Sequence, residues 1–466
     1  MNFRHLIEKF DNNVSLKNLR IRNIDIWPIV RNTVILKYKD YNSKNSLGYV
    51  NNQSLWSIAR LLIYGIIKFP FFIKNHKQIV FSSPFSTIKK NNVYVNRVFD
   101  NILNQVNNLD FIFIDKNLET PVFDINFFRK NKYSRDFFTF LIELEFLIHK
   151  FFNTNFYKSC VDITQELFVH INKKSLIIEI INFNKDIEFE NSCCKLITRS
   201  ILSYKYYFFL IKRINPSSVF VEDGYYGGEN AIINLICSNF KIKTIEPQHG
   251  FITNNHQAYN LGNVTPKYFP DILLTYGEYW ETQIKIPNKS YAVGNFNLMP
   301  NNINDSLFEK NPKRVLIVSN GTNSIILSKI VNKLINENES YEIYLRPHPM
   351  EKDLVSKLYK NEIEKGVTID QLELFESLSK SQIVVSEIST VLFESTLYCD
   401  NVFLLKTDYT KTILSDDLKY FITVDERNIS KIFRLDENLN RMKRINYYWQ
   451  TPNSKILNEI IDLKKI

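Results

Sequence analysis

A chain of 466 residues is too long for one ordinary hydrophobic core and points to two domains. Hydrophobic residues at 44% and charged residues at 23% give the balance of a soluble globular protein. The net charge of +10 is spread along the chain with no dense basic block, which argues against a nucleic-acid partner and suits an anionic small ligand or an anionic membrane surface.

The five cysteines, Cys160, Cys193, Cys194, Cys237 and Cys399, are odd in number and contain no CxxC pair. That pattern excludes a disulfide framework and a zinc site, and it fits a reducing compartment. The stretch "MNFRHLIEKFDNN" lacks the apolar core of a signal peptide. A cytosolic protein is expected.

Residues 1–77 read as a helical N-terminal segment, with "DIWPIVRNTVILKY" (25–38) as a buried piece. "LWSIARLLIYGIIKFPFFI" (55–73) is strongly apolar, but Ser57, Arg60, Tyr64 and Lys68 fall at spacings of three, four and four. On a helix they form one narrow polar stripe, the pattern of a helix that lies on a membrane instead of crossing it. Packing on its own domain is the plainer reading of the same pattern.

From Gln78 to Asn295 short apolar runs alternate with helical patterns, which argues for an α/β domain with a parallel sheet. Strands are predicted at 78–81, 110–115, 218–222, 241–246, 271–277 and 290–295. Helices are predicted at 95–106 and 228–239, and a long helical insertion spans 135–212. Residues 296–313, polar, Asn-rich and bracketed by prolines, read as a linker. The same alternation resumes over 314–425, with strands at 314–319, 341–346, 367–370, 382–386 and 402–405 and helices at 323–336, 371–380 and 389–398. That makes a second doubly wound domain of about five strands. Residues 426–466 read as a helical tail.

In open α/β sheets ligands bind beyond the carboxyl ends of the strands. Four loops at such ends carry unusual residues. "VEDGYYGGEN" (221–230) places Glu222 and Asp223 before three glycines. "EPQHG" (246–250) carries His249, "RPHP" (346–349) carries Arg346, His348 and Pro349, and "SEISTVLFES" (386–395) carries Ser389, Thr390 and Glu394. Gly321, in the "NGT" loop after the strand at 314–319, adds a donor-side position. Each loop alone has a structural reading: a solvated turn, a loop histidine, a proline-set turn, an N-cap. Their shared placement, two loops per domain, points to a site.

The chemistry fits transfer from a nucleotide donor. A carboxylate or histidine in the first domain serves as base for an acceptor hydroxyl. Positive charge, hydroxyls and a helix start in the second stabilise a departing phosphate. Glu394, one turn into its helix, is placed to accept hydrogen bonds from ribose hydroxyls. There is no Asp-x-Asp, HExxH, GxxxxGK[ST] or GxGxxG, so no metal or other cofactor is expected.

Two such domains facing across a cleft make the GT-B shape, and the motifs resemble those of bacterial GT-B sialyltransferases and polysialyltransferases. That group has an acid-acid-glycine motif, then His-Pro, then a Ser-Ser/Thr pair, matched here by Glu222-Asp223-Gly224, His348-Pro349 and Ser389-Thr390. The resemblance implies Asp223 as general base and His348, Ser389 and Thr390 as holders of the donor phosphate. Bacterial Kdo transferases look similar at this level. The CDP-glycerol glycerophosphotransferases of teichoic acid synthesis use a His-Gly motif, matched by "QHG" (248–250), which makes His249 the base instead. The expectation is an inverting transferase of capsule or lipopolysaccharide synthesis at the inner face of a bacterial membrane. It joins a nucleotide-sugar donor, foremost a CMP-activated acidic sugar, to a glycan or glycolipid acceptor. The base remains open between Asp223 and His249. A sugar-nucleotide 2-epimerase or a non-catalytic glycan-binding protein are the readings of other kinds.

Overall fold

The computed structural model describes residues 3–41, 76, 78–83, 86–90, 93–106, 110–115, 132–172, 186–296, 309–321, 324–337, 340–348, 351, 354–414, 418–433 and 441–462. The amphipathic stretch 55–73 lies outside these, as do Pro349 and residues 297–308 of the expected linker.

The first domain is built on β1 (Gln78–Ser82), β2 (Phe111–Asp115), β3 (Lys132–Ser134), β4 (Ser218–Val221), β5 (Lys243–Pro247), β6 (Ile272–Thr275) and β7 (Lys289–Ala292). They form one seven-stranded sheet in the order β7-β6-β5-β4-β1-β2-β3, every pair parallel. The second is built on β8 (Asn311–Val318), β9 (Glu342–Arg346), β10 (Thr368–Ile369), β11 (Ser381–Ser386), β12 (Asn401–Leu405) and β13 (Ile422–Val424). These form a six-stranded sheet in the order β10-β9-β8-β11-β12-β13, again all parallel. Both orders reverse direction at an inner strand, the switch point at which such sheets open a crevice.

The strands read as continuous apolar runs because helices cover both faces of each sheet. Alternate residues split between two cores. In the first sheet Ile79, Phe81, Ile112, Ile114, Val219 and Val221 face one side. Val80, Phe113, Phe220 and Ile245 face the other, where Leu457, Ile460 and Ile461 cover them. Those three residues belong to the helix Ser454–Asp462. The chain therefore returns from the second domain to close the first, and Lys243 Nζ donates to the Ile461 carbonyl at 2.8 Å. The preceding helix, Arg441–Tyr448, is tied to the first domain by Trp280 Nε1, which donates to the Tyr448 carbonyl at 2.7 Å. Trp280 also packs edge-on against Phe393 of the second domain, ring centroids 4.8 Å apart, so one apolar cluster runs through both domains.

Residues 3–41 are part of the first domain. The helices Phe3–Asp11 and Trp27–Tyr41 contribute Leu6, Ile7, Phe10, Trp27, Val30 and Val34 to its core. The helical insertion appears as Asp136–Phe151, Asn155–Asn172 and the long Ile187–Ile214. No helix among the described residues is long and apolar enough to cross a membrane.

Three local expectations are corrected. Residues 95–106 do not form one helix: Val93–Asn96 pairs with Thr87–Lys90 as a hairpin, and only Asp100–Leu103 is helical. The Asn96 side chain takes the Val98 and Phe99 amides at 3.0 and 2.9 Å, which offers the backbone a turn in place of a helix. The helix expected over 389–398 stops at Ser395, where Ser395 and Thr396 hydroxyls donate to carbonyls three residues back, both at 2.6 Å. The second sheet has six strands, not five, because the short edge strand Ile422–Val424 carries too few residues to show a pattern.

Candidate active site

β4 ends at Val221, and the next two carboxylates part company. Glu222 continues the strand, its amide donating to the Phe81 carbonyl at 3.0 Å. Its side chain is buried against the loop after β1, accepting from the Ser83 amide at 2.7 Å and from the Ser86 hydroxyl. Burial, and then the neighbouring Asp223, push its carboxyl up to about 8. Asp223 breaks the strand. It takes a left-handed backbone conformation, φ 57° and ψ 29°, which sends its side chain the other way, 32% exposed. A non-glycine residue held there needs support. Asn230 Nδ2 supplies it, donating to the Glu222 and Asp223 carbonyls at 3.0 and 3.1 Å.

Two of the glycines that follow, Gly224 and Gly227, are required by packing. A Cβ on Gly224 would lie 2.4 Å from Pro270 Cγ and 2.9 Å from Glu246 Oε2. One on Gly227, at φ +86°, would lie 2.6 Å from the Ile29 carbonyl oxygen. This turn is therefore clamped between β5–β6 and the N-terminal helix Trp27–Tyr41.

β5 delivers His249 to the same place. Its Nε2 lies 3.1 Å from Asp223 Oδ1. A carboxylate only accepts, so a hydrogen bond across this contact requires the proton on Nε2 and leaves the lone pair on Nδ1. Nδ1 is buried, with no hydrogen-bond partner, 3.9 Å from Glu246 Oε1. Burial holds the imidazole below its ordinary range, Asp223 pulls it up, and Arg97 pushes it down again, so His249 is neutral near pH 7. Glu246 is fully buried and accepts from the Tyr259 hydroxyl at 2.7 Å and the Tyr225 amide at 3.1 Å. Its carboxyl is pushed well above the carboxylate range by that burial and by Asp223. Glu222 and Glu246 are thus buried acids that flank the dyad, while Asp223 is the one that reaches solvent.

The second domain meets the loop just after His249. The Phe251 amide donates to Thr390 Oγ1 at 3.1 Å, and Gly250 sits against the same hydroxyl. Ser389 caps its own helix, accepting from the Leu392 amide at 3.3 Å, and its hydroxyl lies 3.1 Å from Ser386 Oγ. Glu394 follows one turn on. Burial raises its carboxyl to about 7 against the opposing pull of Arg97, and Tyr276 of the first domain feels its charge.

His348 stands after β9, its ring packed on Gly321, whose φ of +80° leaves no room for a side chain: a Cβ would lie 3.0 Å from the imidazole Cγ. The His348 amide donates to Glu351 Oε2 at 2.9 Å, and burial holds the ring below its usual range. Arg346 has a structural partner: its guanidinium pairs with Asp370 at 2.5 Å and donates to the Leu372 carbonyl at 2.8 Å. Asp370 is also gripped by Arg314 at 2.6 Å.

Sequence reading missed Arg97. It is exposed, follows the hairpin, and its amide donates to the Ser86 carbonyl at 2.9 Å. Its charge is felt at Glu222, His249, His348 and Glu394, residues of both domains. No ion pair engages it among the described residues. The only signal available was a lone arginine after "YVN", inside a stretch expected to be helical. Glu246 was missed as well, because a strand residue preceding the histidine motif carries no mark of its neighbours.

Glu394 gives one test by pH. A carboxyl raised from its usual range to about 7 binds a proton in the folded state that the unfolded chain has released. Relative to Glu394→Gln, wild-type stability should therefore fall as pH rises from about 4.5 to about 7 and then level off. The full difference should reach roughly 2 kcal/mol, less than the shift alone implies because the side chain keeps some solvent. Urea titrations of both proteins at pH 5, 6, 7 and 8 measure it, and a gap that does not change with pH refutes it.

No family model and no curated protein matches this chain. Solved structures do. A UDP-N-acetylglucosamine 2-epimerase aligns over 84% of this chain and 95% of its own at 12% identity, TM-score 0.45. The UDP-GlcNAc 2-epimerase from Neisseria meningitidis, bound to UDP-GlcNAc, aligns over 82% and 98% at 13% identity, TM-score 0.44. Arabidopsis thaliana UGT89C1, complexed with UDP-L-rhamnose, aligns over 84% and 100% at 10% identity, TM-score 0.43. At these identities the likeness is one of fold. By its own two parallel sheets, their orders and the returning C-terminal helix, the chain has a GT-B-like fold.

Proposed function

We propose that this protein is an inverting glycosyltransferase of surface-polysaccharide synthesis, capsule or lipopolysaccharide, with Asp223 as general base. The observation that carries the reading is the 3.1 Å contact between Asp223 and His249 at the ends of β4 and β5, beside the loop that meets Thr390. The acceptor hydroxyl gives its proton to the exposed Asp223 oxygen as its own oxygen bonds to the anomeric carbon. The bond from that carbon to the donor phosphate breaks, and the nucleotide leaves on the opposite side, which inverts the centre. His249 keeps its Nε2 proton and fixes the carboxylate, since its Nδ1 is buried and out of an acceptor's reach. This choice between the two candidate bases rests on exposure: the side chain is 32% exposed for Asp223 and 17% for His249.

On the donor side, His348 is neutral near pH 7 and serves the phosphate as an N–H donor. Arg346 is already paired with Asp370, so Arg97 supplies the cation that a leaving phosphate, or the carboxylate of an acidic sugar, requires. Glu394 accepts from ribose hydroxyls. A CMP-activated sialic acid or Kdo is the leading donor, the acceptor is a glycan or glycolipid, and no metal takes part. The enzyme works in the cytosol, at the inner face of the membrane.

Thermal shift with CMP, CDP, UMP, UDP and GDP tests the reading. A nucleotide at a hundred times its Kd stabilises the fold by about 2.7 kcal/mol, which for a chain of this length is a rise of about 3 °C. CMP is expected to give that rise, and His348→Ala or Arg97→Ala to remove it. Preference for CDP shifts the reading to polyol-phosphate transfer, and preference for UDP or GDP to hexose transfer. A sugar product formed from UDP-GlcNAc with no acceptor marks a 2-epimerase. No response to any nucleotide overturns the donor site.

A further inference from the structure

The helix Asp136–Phe151 buries Phe138, Ile142 and Phe146 against the insertion and turns a second apolar face outward. That face is Leu144, Leu147, Ile148 and Phe151, which fall on one stripe at the three- and four-residue spacing of a helix. Their exposures are 44%, 57%, 44% and 83%, and Phe152, in the turn that follows, is 69% exposed. The two phenylalanine rings meet edge to face, centroids 5.1 Å apart, and Asn153 at φ 44° turns the chain back directly behind them. The result is a projecting aromatic tip and not a flat patch.

Charge around the stripe is one-sided. Of the two acids bordering it on its own helix, Glu143 is bridged by Arg199, and Glu145 takes Lys205 and the Tyr206 hydroxyl. Lys150 and Lys195 are exposed, stand near one another, Arg199 and the already bridged Glu143, and have no ion pair among the described residues. Both border acids are thus neutralised and two lysines are left over, beside large apolar groups that a soluble surface rarely concentrates.

We propose that this tip docks the protein on an anionic lipid bilayer. Phe151 and Phe152 enter the interface, Leu147 and Ile148 lie at its edge, and Lys150 and Lys195 meet lipid phosphates. Charge complementarity and the narrow projecting shape favour a bilayer over a protein partner, whose interfaces are broad and shape-matched. The insertion is rooted at the proposed acceptor side: Arg135, directly before this helix, lies over the Phe81 ring at 5.9 Å. The Tyr207 hydroxyl there donates at 2.6 Å to Glu229, six residues after Asp223. The inference does not rest on the transferase reading, and its test reads no activity.

The experiment is co-sedimentation of the full chain with vesicles of pure phosphatidylcholine and of phosphatidylcholine with about 30% phosphatidylglycerol, whose negative surface potential attracts basic side chains. Binding is expected to the anionic vesicles only, weakened by added salt. Lys150→Glu with Lys195→Glu should lose at least about tenfold, and Phe151→Ser with Phe152→Ser likewise. Unchanged circular dichroism and melting temperature show that the variants are folded. All five native cysteines are buried. A fluorophore on Phe152→Cys therefore reports the tip itself, with a blue shift expected on anionic vesicles. No binding, or binding unchanged in the phenylalanine variant with no blue shift, overturns the proposal. So does a concentration-dependent dimer that the phenylalanine variant abolishes, which would assign the tip to a second copy of the chain.

Discussion

Asp223→Asn is expected to lower turnover by ~10³-fold or more while the nucleotide-induced thermal shift stays at its wild-type size. The amide preserves the shape of the turn and the contact to His249, but it cannot take the acceptor proton, and a positioned base contributes ~10²–10⁴-fold. His249→Ala should cost less, ~10–100-fold, because it removes only the imidazole contact that positions the carboxylate. His249→Gln, whose amide can still donate, should recover part of that loss. The measurement is kcat and KM for the three variants with the donor that thermal shift selects. If His249→Ala stops turnover and Asp223→Asn leaves it near wild type, the base is the histidine, and the chemistry moves towards polyol-phosphate transfer. If both leave it near wild type, the site is placed wrongly.

The largest effect on stability is expected from the buried pair of the N-terminal segment. Arg31 and Asp11 are 1% and 0% exposed, with Nε to Oδ1 at 2.7 Å. Arg31 also donates to the Gln257 and Asn260 carbonyls at 2.5 and 2.9 Å. Asp11 accepts from Trp27 Nε1 at 2.9 Å and the Gly262 amide at 2.8 Å. Asp11→Ala strands the guanidinium without its counter-charge and should cost ~3–5 kcal/mol. The same substitution frees the 257–262 segment, which carries Tyr259, the hydroxyl partner of Glu246 beside the dyad. Urea denaturation measures the loss, and a value under ~1 kcal/mol would show that water reaches the pair. Residues far from the dyad in sequence thus hold the loop that follows it.

How much of this is legible in the sequence differs by level. The α/β alternation was plain, because strands covered on both faces are continuous apolar runs and their borders shift by only a few residues. β5 was expected over 241–246 and spans Lys243–Pro247; β8 was expected to begin at 314 and begins at Asn311. The failure at 95–106 came from Asn96, whose side chain competes for the backbone in a way that apolar periodicity does not record. Four motif loops were placed at strand ends because a doubly wound sheet puts its loops there.

The sequence by itself determined the α/β alternation of two parallel-sheet domains and the loops that carry polar residues, since these follow from local periodicity and chain chemistry. Only the tertiary structure decided what each polar residue does. Glu222 and Asp223 are neighbours in sequence, yet a positive φ at Asp223 sends one carboxylate inward to Ser83 and the other to His249. Arg346 looked like a phosphate ligand until Asp370, 24 residues away, took it. Arg97 looked like nothing until folding set its charge near residues of both domains. Pairing across such distances is a property of the closed fold, and no local pattern encodes it.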